Sequence, residues 1–266
     1  MKRGFFVLFA LIGCMLLAPG RPCPAAGVGR VRLTSGEWPP YLSENMAHFG
    51  LVSLLVSSAF AEEGVVVEYG FFPWLRSLEL ARSGEWDGSV IWLRNSEREH
   101  DFLFSDPVYF SCQAFFHRRD RPFDWNCYED LRGVKIGVSL GYSYGNKFDR
   151  MLENGELDVD VAQTDRMNMN KLLSGRIDIF PINVEIGYYL LRADFPPGLA
   201  NLVTHHPRLL INNRALHLIV PRGLPRSRTI LQVFNRGLKK LHDSGAFDRL
   251  VQEWHQMESL SQQPCN

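Results

Sequence analysis

Short β-branched segments alternate with segments of helical length along most of this 266-residue chain. A strand-like run at 31–34 precedes a helical pattern at 51–63, and a β-branched run at 65–69 precedes a second helical pattern at 74–83. Each helical pattern is followed by a glycine, which is common just past helix C-termini. Strands separated by helices of this length usually pair in parallel, so the pattern predicts an α/β fold.

The alternation falls into two series, which indicates two lobes. The first series closes with a longer strand at 108–116, and a charged stretch at 118–122 that ends in proline follows it as a predicted linker. The second series starts with a strand at 134–139, and a late strand at 215–220 leads into two final helices. Open α/β sheets bind ligands beyond the carboxyl ends of their strands, so we expect the functional residues there.

Residues 1–25 have the features of a signal peptide. Lys2 and Arg3 precede an unbroken apolar run at 5–17, and small residues follow it. This run is shorter than the ~20 residues that a membrane-spanning helix needs, which disfavours a retained anchor. The segment ending at Cys14 resembles a lipoprotein signal, but the apolar run continues past it where a lipoprotein turns polar. We therefore predict cleavage and a soluble protein in the periplasm.

Charge and motif content exclude several functions. Basic and acidic residues number 29 each, and the signal holds three of the basic ones, so the mature chain has 26 against 29. This balance predicts no nucleic-acid partner. The sequence contains no phosphate loop, nucleophile elbow or Cys-x-x-Cys, so we expect no catalytic nucleophile, no metal and no cofactor.

Three cysteines remain after the predicted cleavage: Cys112, Cys127 and Cys265. An oxidising compartment permits a bridge between Cys112 and Cys127, although their spacing alone does not establish one. The sequence favours the other interpretation, in which these thiols are buried or unpaired.

Aromatic and cationic side chains gather at the predicted strand ends of the first series. They are Trp38, Tyr41, Trp74, Trp92, Arg94 and Arg98. Three tryptophans at the rim of a sheet either enclose a small solute or fill the core. The planar guanidinium of Arg98 matches the two oxygens of a carboxylate, or else it is a solvated surface charge.

Six motifs in order resemble those of the family 3 extracellular solute-binding proteins, the periplasmic receptors of polar amino-acid ABC transporters. They are GEWDG at 84–88, SER at 96–98, FSDPVY at 104–109, DLRGVKIGVSLG at 130–141, GRID at 175–178 and GAFDRLVQEW at 245–254. No single motif is specific, but six near the family spacing are, and together they cover residues 31–257.

The resemblance implies a type II periplasmic-binding-protein fold, with two lobes of mostly parallel sheet flanked by helices and a cleft between them. Lobe 1 would comprise residues 27–116 and 215–266, and lobe 2 residues 117–214. The implied function is non-enzymatic. A monomer captures a small polar solute, an amino acid or a related carboxylate or amine, by hinge closure of the cleft and delivers it to an ABC permease.

Position by position, the resemblance implies binding roles in both lobes. Arg98 falls where the family grips the ligand's α-carboxylate, and Trp38 falls where an aromatic ring packs on the ligand side chain. Trp74 falls on a hydrophobic wall position. Tyr142 and Ser143 fall in the second-lobe loop that holds the carboxylate from the other side.

Two departures from the family pattern put the ligand's identity in question. Asn183 stands where the family has the aspartate that binds the α-ammonium, and Glu185 follows two residues later. A neutral amide pairs more weakly with an ammonium than a carboxylate does. Either Glu185 substitutes, or the ligand is not a standard α-amino acid. In addition, Trp92 and Arg94 stand among residues that replace the family's small hydroxyl side chains, which implies a more aromatic and cationic pocket.

Two other functions fit the same resemblance. Cyclohexadienyl dehydratases resemble these binding proteins, and Glu185 or Glu37 would then supply the acid that expels hydroxide. Alternatively, the chain is a ligand-sensing subunit that docks on a membrane receptor. Incubation with prephenate or arogenate distinguishes the enzyme from a binding protein.

We predict a mature N-terminus between Arg21 and Gly27, because the small residues before Gly27 fit signal peptidase. N-terminal sequencing or the intact mass of protein from a periplasmic extract measures this. Lipid on Cys14, or a mass that retains Met1, would contradict the prediction.

Overall fold

Two long antiparallel strands lie at the centre of the sheet and link its two halves. A computed structural model describes residues 28–257. The strands are β1 (Arg30–Ser35), β2 (Val66–Phe71), β3 (Gly88–Trp92), β4 (Phe102–Arg118), β5 (Lys135–Ser139), β6 (Asp158–Ala162), β7 (Ile179–Asn183) and β8 (Val203–Pro221). The helices are α1 (Leu51–Ala61), α2 (Trp74–Arg82), α3 (Ser96–Asp101), α4 (Asn146–Glu153), α5 (Asp165–Leu173), α6 (Val184–Asp194), α7 (Pro197–Ala200), α8 (Ser227–Asp243) and α9 (Ala246–Met257).

The strands form one sheet in the order β2-β1-β3-β8-β4-β7-β5-β6. At one end β1 pairs in parallel with β2 and β3, and at the other β5 pairs in parallel with β6 and β7. Between them β4 and β8 run antiparallel to each other and to their outer neighbours. The predicted α/β fold, with two lobes of mostly parallel strands, is confirmed.

The two central strands are much longer than the sequence predicted. Strand β4 has 17 residues and β8 has 19, and they pair from Phe102–Pro221 to Arg118–Val203. The prediction began β4 at 108 because Asp106-Pro107 interrupts the β-branched pattern, and the structure absorbs this interruption as a register shift. From Gln113 onward β4 also pairs with β7, so the same strand belongs to both halves of the sheet.

Each half of the sheet has its own aromatic core. In the first, α1 and α8 pack together through Phe60 and Phe234, whose ring centroids are 5.1 Å apart. In the second, Phe115 of β4 contacts Trp125, with centroids 5.2 Å apart. These buried rings remove large apolar areas from water, at about 25 cal/mol per Å². The exact lobe limits given above stay predictions.

The state of the cysteines in the structure differs from the one that the sequence favoured. Cys127 is an exposed free thiol, so the bridge between Cys112 and Cys127 is not formed. Cys112 is buried but is not a thiol, since it is disulfide-bonded. The predicted signal peptide, with Cys14, lies outside the described residues, as does Cys265. None of the helices within 28–257 is long and apolar enough to cross a membrane.

The contact between α1 and α8 depends on Gly237, and we expect Gly237→Ala to destabilise the protein. A Cβ at this position would lie 1.8 Å from the Ala59 carbonyl oxygen, so the two helices would have to separate. Overpacking of this kind costs roughly 1–3 kcal/mol, more than the ~1 kcal/mol by which alanine favours a helix. Urea denaturation measures the change.

Gly198→Ala is the matched control, because a Cβ there meets nothing within 4 Å. It should leave the free energy of unfolding unchanged or slightly higher. Equal stability of the Gly237→Ala and Gly198→Ala variants would show that the helices are not held in this close contact.

Candidate functional site

Three aromatic side chains form a wall in the first lobe at its boundary with the second. Trp38 and Tyr41 lie in the loop after β1, and Tyr109 lies on β4. The ring centroids of Trp38 and Tyr41 are 5.2 Å apart, and those of Tyr41 and Tyr109 are 5.3 Å apart, both edge to face. Edge-to-face packing fixes ring orientation, so the two phenol hydroxyls have defined directions.

Those hydroxyls meet the start of α6, which belongs to the second lobe. The Tyr41 hydroxyl donates to Asn183 Oδ1 at 3.2 Å. The Tyr109 hydroxyl donates to the Glu185 carboxylate, at 3.1 Å from Oε1 and 3.3 Å from Oε2. Glu185 also interacts with the Tyr41 hydroxyl. The structure therefore brings Trp38, Tyr41, Asn183 and Glu185 into one cluster.

Glu185 is the acidic group of this cluster. Burial raises the pKa of its carboxyl, and the hydrogen bonds from Tyr41 and Tyr109 partly oppose that rise. The same burial, together with the Glu185 charge, raises the pKa values of both tyrosines well above their usual range, so both hydroxyls remain donors. Among the described residues Glu185 has no ion-pair partner. The site therefore presents a carboxylate with unused acceptor capacity.

Asn183 has a structural role that the sequence did not reveal. Its Oδ1 accepts the Ile186 backbone N–H at 3.1 Å and caps the N-terminus of α6. The same oxygen accepts from Tyr41, so its acceptor capacity is already used. Its Nδ2 is buried and has no partner among the described residues. The amide therefore offers nothing to an ammonium, and the negative charge nearby is that of Glu185.

Trp74, Trp92 and Arg98 form a second cluster in the first lobe. Trp74 begins α2, and its indole packs on Gly36, where a Cβ would lie 2.5 Å from the ring. The centroids of Trp74 and Trp92 are 5.4 Å apart, and the Trp92 Nε1 donates to Ser89 Oγ at 2.8 Å. These contacts fix the orientation of both indoles, and Gly36 lies two residues before Trp38 in the chain.

Arg98 lies on α3 with its guanidinium 4.9 Å from the centroid of the Trp92 ring. It donates from Nη1 to the Leu93 carbonyl at 3.0 Å. Burial lowers the pKa of this arginine. Within residues 28–257 no carboxylate forms an ion pair with it. The side chain is oriented but leaves most of its five donors available.

Arg94 lies at the edge of the second cluster, because the Phe104 ring on which it stacks belongs to the same hydrophobic cluster as Trp74 and Trp92. Its guanidinium is 5.1 Å from the Phe104 ring centroid and its Nε is 3.6 Å from Glu99 Oε1. It lines a separate cavity of about 360 Å³ with Arg222 and Arg228. Its assignment as a ligand-binding residue stays a prediction, and no contact among residues 28–257 joins it to Trp38, Tyr41 or Tyr109.

The loop between β5 and α4 contributes Tyr142 and Ser143. Ser143 Oγ donates to Asp149 at 2.6 Å, and its carbonyl accepts from Arg214 of β8 at 2.9 Å. The Tyr142 hydroxyl donates to Asp165 at 3.2 Å. Burial raises the pKa of Tyr142, and a hydrogen bond with the Trp38 side chain opposes that rise in part. Tyr142 thus meets the aromatic wall from the second lobe.

Three residues here were not singled out from the sequence: Tyr109, Asp165 and Arg214. Tyr109 ends the FSDPVY motif, and its place there could have identified it. Asp165 is a half-buried carboxylate whose pKa is raised by burial, and it accepts from Ser139 and Tyr142. Burial lowers the pKa of Arg214, and the positive charge of Arg98 adds a smaller decrease.

No group of three or more His, Cys, Asp and Glu side chains within the described chain is arranged to hold a metal ion. The clustered groups are instead aromatic rings, hydroxyl donors, a carboxylate and guanidinium groups. Apolar walls with a small number of placed polar groups are typical of small-molecule sites.

The sequence matches the model of the bacterial extracellular solute-binding proteins, family 3, over residues 32–257. The chain belongs to this family. The match spans most of the chain and both lobes, and it confirms the resemblance that the six motifs indicated. The family's description as extracellular agrees with the predicted export. No curated protein sequence matches the chain.

Solved structures with the same fold include binding proteins of several kinds. The chain is similar to an ancestral arginine-binding protein bound to arginine, with a TM-score of 0.69, 21% identity and coverage of 85% of this chain and 98% of that one. It is also similar to the substrate-binding protein of an amino acid ABC transporter, with a TM-score of 0.66, 18% identity and coverage of 86% and 100%.

A third similar structure is an ancestral amino-acid-binding protein described as a precursor of cyclohexadienyl dehydratase. Its TM-score is 0.64 at 20% identity, with coverage of 85% of this chain and 95% of that one. At these identities the likeness shows the shared fold. The ligand has to be argued from the residues of this chain.

The buried carboxylate predicts a pH dependence of stability. The pKa of Glu185 is raised in the folded state above its ordinary 4.5, so folding favours the protonated form. Stability is therefore highest below pH 4.5 as far as this group is concerned, and falls as the pH rises through the folded-state pKa. We expect Glu185→Gln to match the wild type near pH 4 and to unfold at a higher temperature at pH 7.5.

Thermal unfolding of both proteins across this pH range measures the effect. Glu153→Gln, at an exposed position on α4, controls for the loss of one negative charge and should not reproduce it. Parallel curves for wild type and Glu185→Gln would show that Glu185 is not held in a buried environment.

Proposed function

We propose that this protein is a periplasmic substrate-binding protein that captures a zwitterionic solute, an amino acid or a related compound with an amine and a carboxylate, for ABC-type uptake. Membership of the solute-binding family supports the binding function. The choice of ligand class rests on one observation. Glu185 is a partly buried carboxylate at the lobe boundary, with hydroxyl donors around it and no cationic partner among the described residues.

A ligand ammonium is the group that this carboxylate lacks. A buried negative charge without a counter-ion is unfavourable, and an ammonium placed against it would supply both a charge and hydrogen-bond donors. Asn183 takes no part in this because its oxygen is used by the helix cap and Tyr41. The proposed ammonium site is therefore Glu185, displaced by two residues from the family's usual aspartate.

Arg98 is the proposed partner of the ligand's carboxylate. The Trp92 ring and the Leu93 carbonyl orient its guanidinium without neutralising it. A planar fork of N–H donors matches both carboxylate oxygens at once. With Arg98 in the first lobe and Glu185 in the second, a zwitterion would interact with both lobes, which favours closure of the hinge on the ligand.

Trp38 and Trp74 would contact the remainder of the solute, and the buried Trp92 would support Trp74 from behind. Their edge-to-face packing holds the indoles in fixed orientations at little further entropic cost on binding. After capture, a membrane permease would recognise the closed form. The protein would act as a monomer in the periplasm, which agrees with the signal predicted at residues 1–25.

A second candidate function has one observation in its favour. Burial raises the pKa of Glu185, and a raised pKa lets a carboxyl keep its proton to higher pH, as a general acid requires. This is the chemistry that a dehydratase of the cyclohexadienyl type requires. Incubation with prephenate or arogenate tests it, and product absorbance that disappears in Glu185→Gln would replace the binding proposal with an enzymatic one.

The binding proposal predicts that Arg98→Ala and Glu185→Gln each lose affinity for the same solute. A thermal-shift screen of amino acids, polyamines and small carboxylates identifies it, since a ligand at 100 times its Kd stabilises the fold by about 2.7 kcal/mol. Calorimetry with the best ligand then measures each variant. Loss of one charge pair in a closed cleft costs ~2–5 kcal/mol, which corresponds to roughly 30-fold or more in Kd.

Arg249→Ala and Glu153→Gln are the matched controls, because both change an exposed charge away from the site, on α9 and α4. They should keep the Kd of the wild type. If Arg98→Ala binds within about threefold of the wild type, Arg98 is only a surface charge. If Glu185→Gln does so, the ammonium site lies elsewhere.

A further inference from the structure

A cavity of about 360 Å³ lies in the first lobe, where α3, the start of β4, the end of β8 and the start of α8 meet. Three guanidinium groups line it, those of Arg94, Arg222 and Arg228, and they are accompanied by a single carboxylate, that of Glu99. Two positive charges of the lining are therefore in excess. A cavity of this volume is large enough for a small molecule.

The rest of the lining is mostly apolar. Phe102, Leu103, Phe104 and Leu231 lie among the arginines. The Arg94 guanidinium is 5.1 Å from the centroid of the Phe104 ring, and this contact orients it. Apolar surface with a few placed charges is the usual composition of a small-molecule site, and it favours a ligand with an apolar body over a bare inorganic ion.

The backbone orients the second guanidinium, that of Arg222. Its Nη2 donates to the Glu99 carbonyl at 2.8 Å and to the Phe102 carbonyl at 3.3 Å. No carboxylate within residues 28–257 forms an ion pair with it. The Glu99 carboxylate is 3.6 Å from Arg94 Nε, which is too long for a hydrogen bond. Both guanidinium groups are thus held in place and keep N–H donors for a ligand.

The third guanidinium belongs to Arg228, which stands where a cation is unfavourable. Arg228 is exposed in the first turn of α8, and that turn contains no acidic residue. A helix N-terminus carries a partial positive charge, so a cation there lowers stability and an anion raises it. In the described part of the chain the Arg228 side chain has no hydrogen-bond or ion-pair partner. An anion in the cavity would offset this repulsion.

We propose that this cavity binds a small organic dianion, a dicarboxylate or a phosphate monoester with an apolar body. Two negative charges match the two positive charges in excess, and guanidinium groups pair with the oxygens of either head group. The apolar body would contact Phe102 and Phe104. Of the residues assigned to the ligand cleft, only Arg94 lines this cavity, so the site goes beyond the function proposed above.

Calorimetry on the purified protein with three compounds tests the proposal. Phthalate carries two carboxylates on a ring, phenyl phosphate carries a phosphate monoester on a ring, and benzoate carries one carboxylate. We expect at least one of the two dianions to bind about tenfold more tightly than benzoate, and the comparison of the two dianions identifies the head group. Binding of neither dianion with a Kd below about 1 mM, or equal binding of benzoate, would overturn the proposal.

Arg228→Gln removes the guanidinium that has no partner in the fold. We expect the Kd of the bound dianion to rise roughly tenfold or more, the effect of one charge-assisted hydrogen bond. The unfolding temperature of the ligand-free variant should stay the same or rise, because the repulsion at the start of α8 is removed. An unchanged Kd, or a weaker fold that explains the loss of binding, would contradict the proposal.

Arg76→Gln is the matched control. Arg76 is also exposed in the first turn of a first-lobe helix, α2, and that turn likewise contains no acidic residue. The change in stability should therefore resemble that of Arg228→Gln, whereas the Kd of the dianion should stay that of the wild type. An equal loss of affinity in both variants would show a general effect of charge instead of a site.

Arg98→Ala separates this cavity from the cleft, because Arg98 is the proposed carboxylate partner there. We expect Arg98→Ala to bind the dianion with the Kd of the wild type. Binding that is lost in Arg98→Ala and kept in Arg228→Gln would place the dianion in the cleft and overturn the proposal. The effect of Arg98→Ala on the cleft's own solute tests only the function proposed above, so the two failures are distinguishable.

Discussion

The antiparallel pairing of β4 with β8 is the constraint on which the rest of the structure depends. A separate sheet in each lobe would leave two edges facing the hinge, with unpaired backbone groups along both. Here one ladder from Phe102–Pro221 to Arg118–Val203 belongs to both lobes, so neither has an exposed edge at the crossing. The lobes can rotate only by deforming this ladder, and its register shifts mark where it is already irregular.

The ladder also determines which side chains meet at the candidate site. Tyr109 on β4 and Asn183 at the end of β7 are positioned by the same sheet, and Glu185 follows Asn183 on the first turn of α6. The aromatic wall therefore meets a carboxylate whose backbone is held by a helix cap. Arg98 depends on a different element, the short helix α3, whose own cap is the Asn95 side chain. The acidic Glu185 and the basic Arg98 are therefore held by two different helices, each with its own capping residue.

The sequence predicted the short strands and most helices well, because the patterns that indicate them lie within a few neighbouring residues. The short strands and most helices follow from β-branched runs, helical periodicity and closing glycines. The long strands were missed because Asp106-Pro107 and the segment 204–208, which is mostly polar and contains Pro207, are non-strand signals that tertiary pairing overrides. Sequence order likewise could not separate Arg94 from Arg98, since only the structure shows one against Phe104 and the other against Trp92. The sequence also did not show that Asn183 caps α6, because that role depends on where the helix begins.

The order of strands in the sheet has a consequence for the rate of folding. Strand β3 is completed by β8, and Ser89 pairs with Ile219, 130 positions later in the chain. The first half of the sheet therefore cannot close until almost the whole chain has been synthesised, and contacts this distant in sequence make folding slow. A chain that a signal peptide directs through a membrane in the unfolded state benefits from slow folding. It leaves time for translocation before the central strands meet.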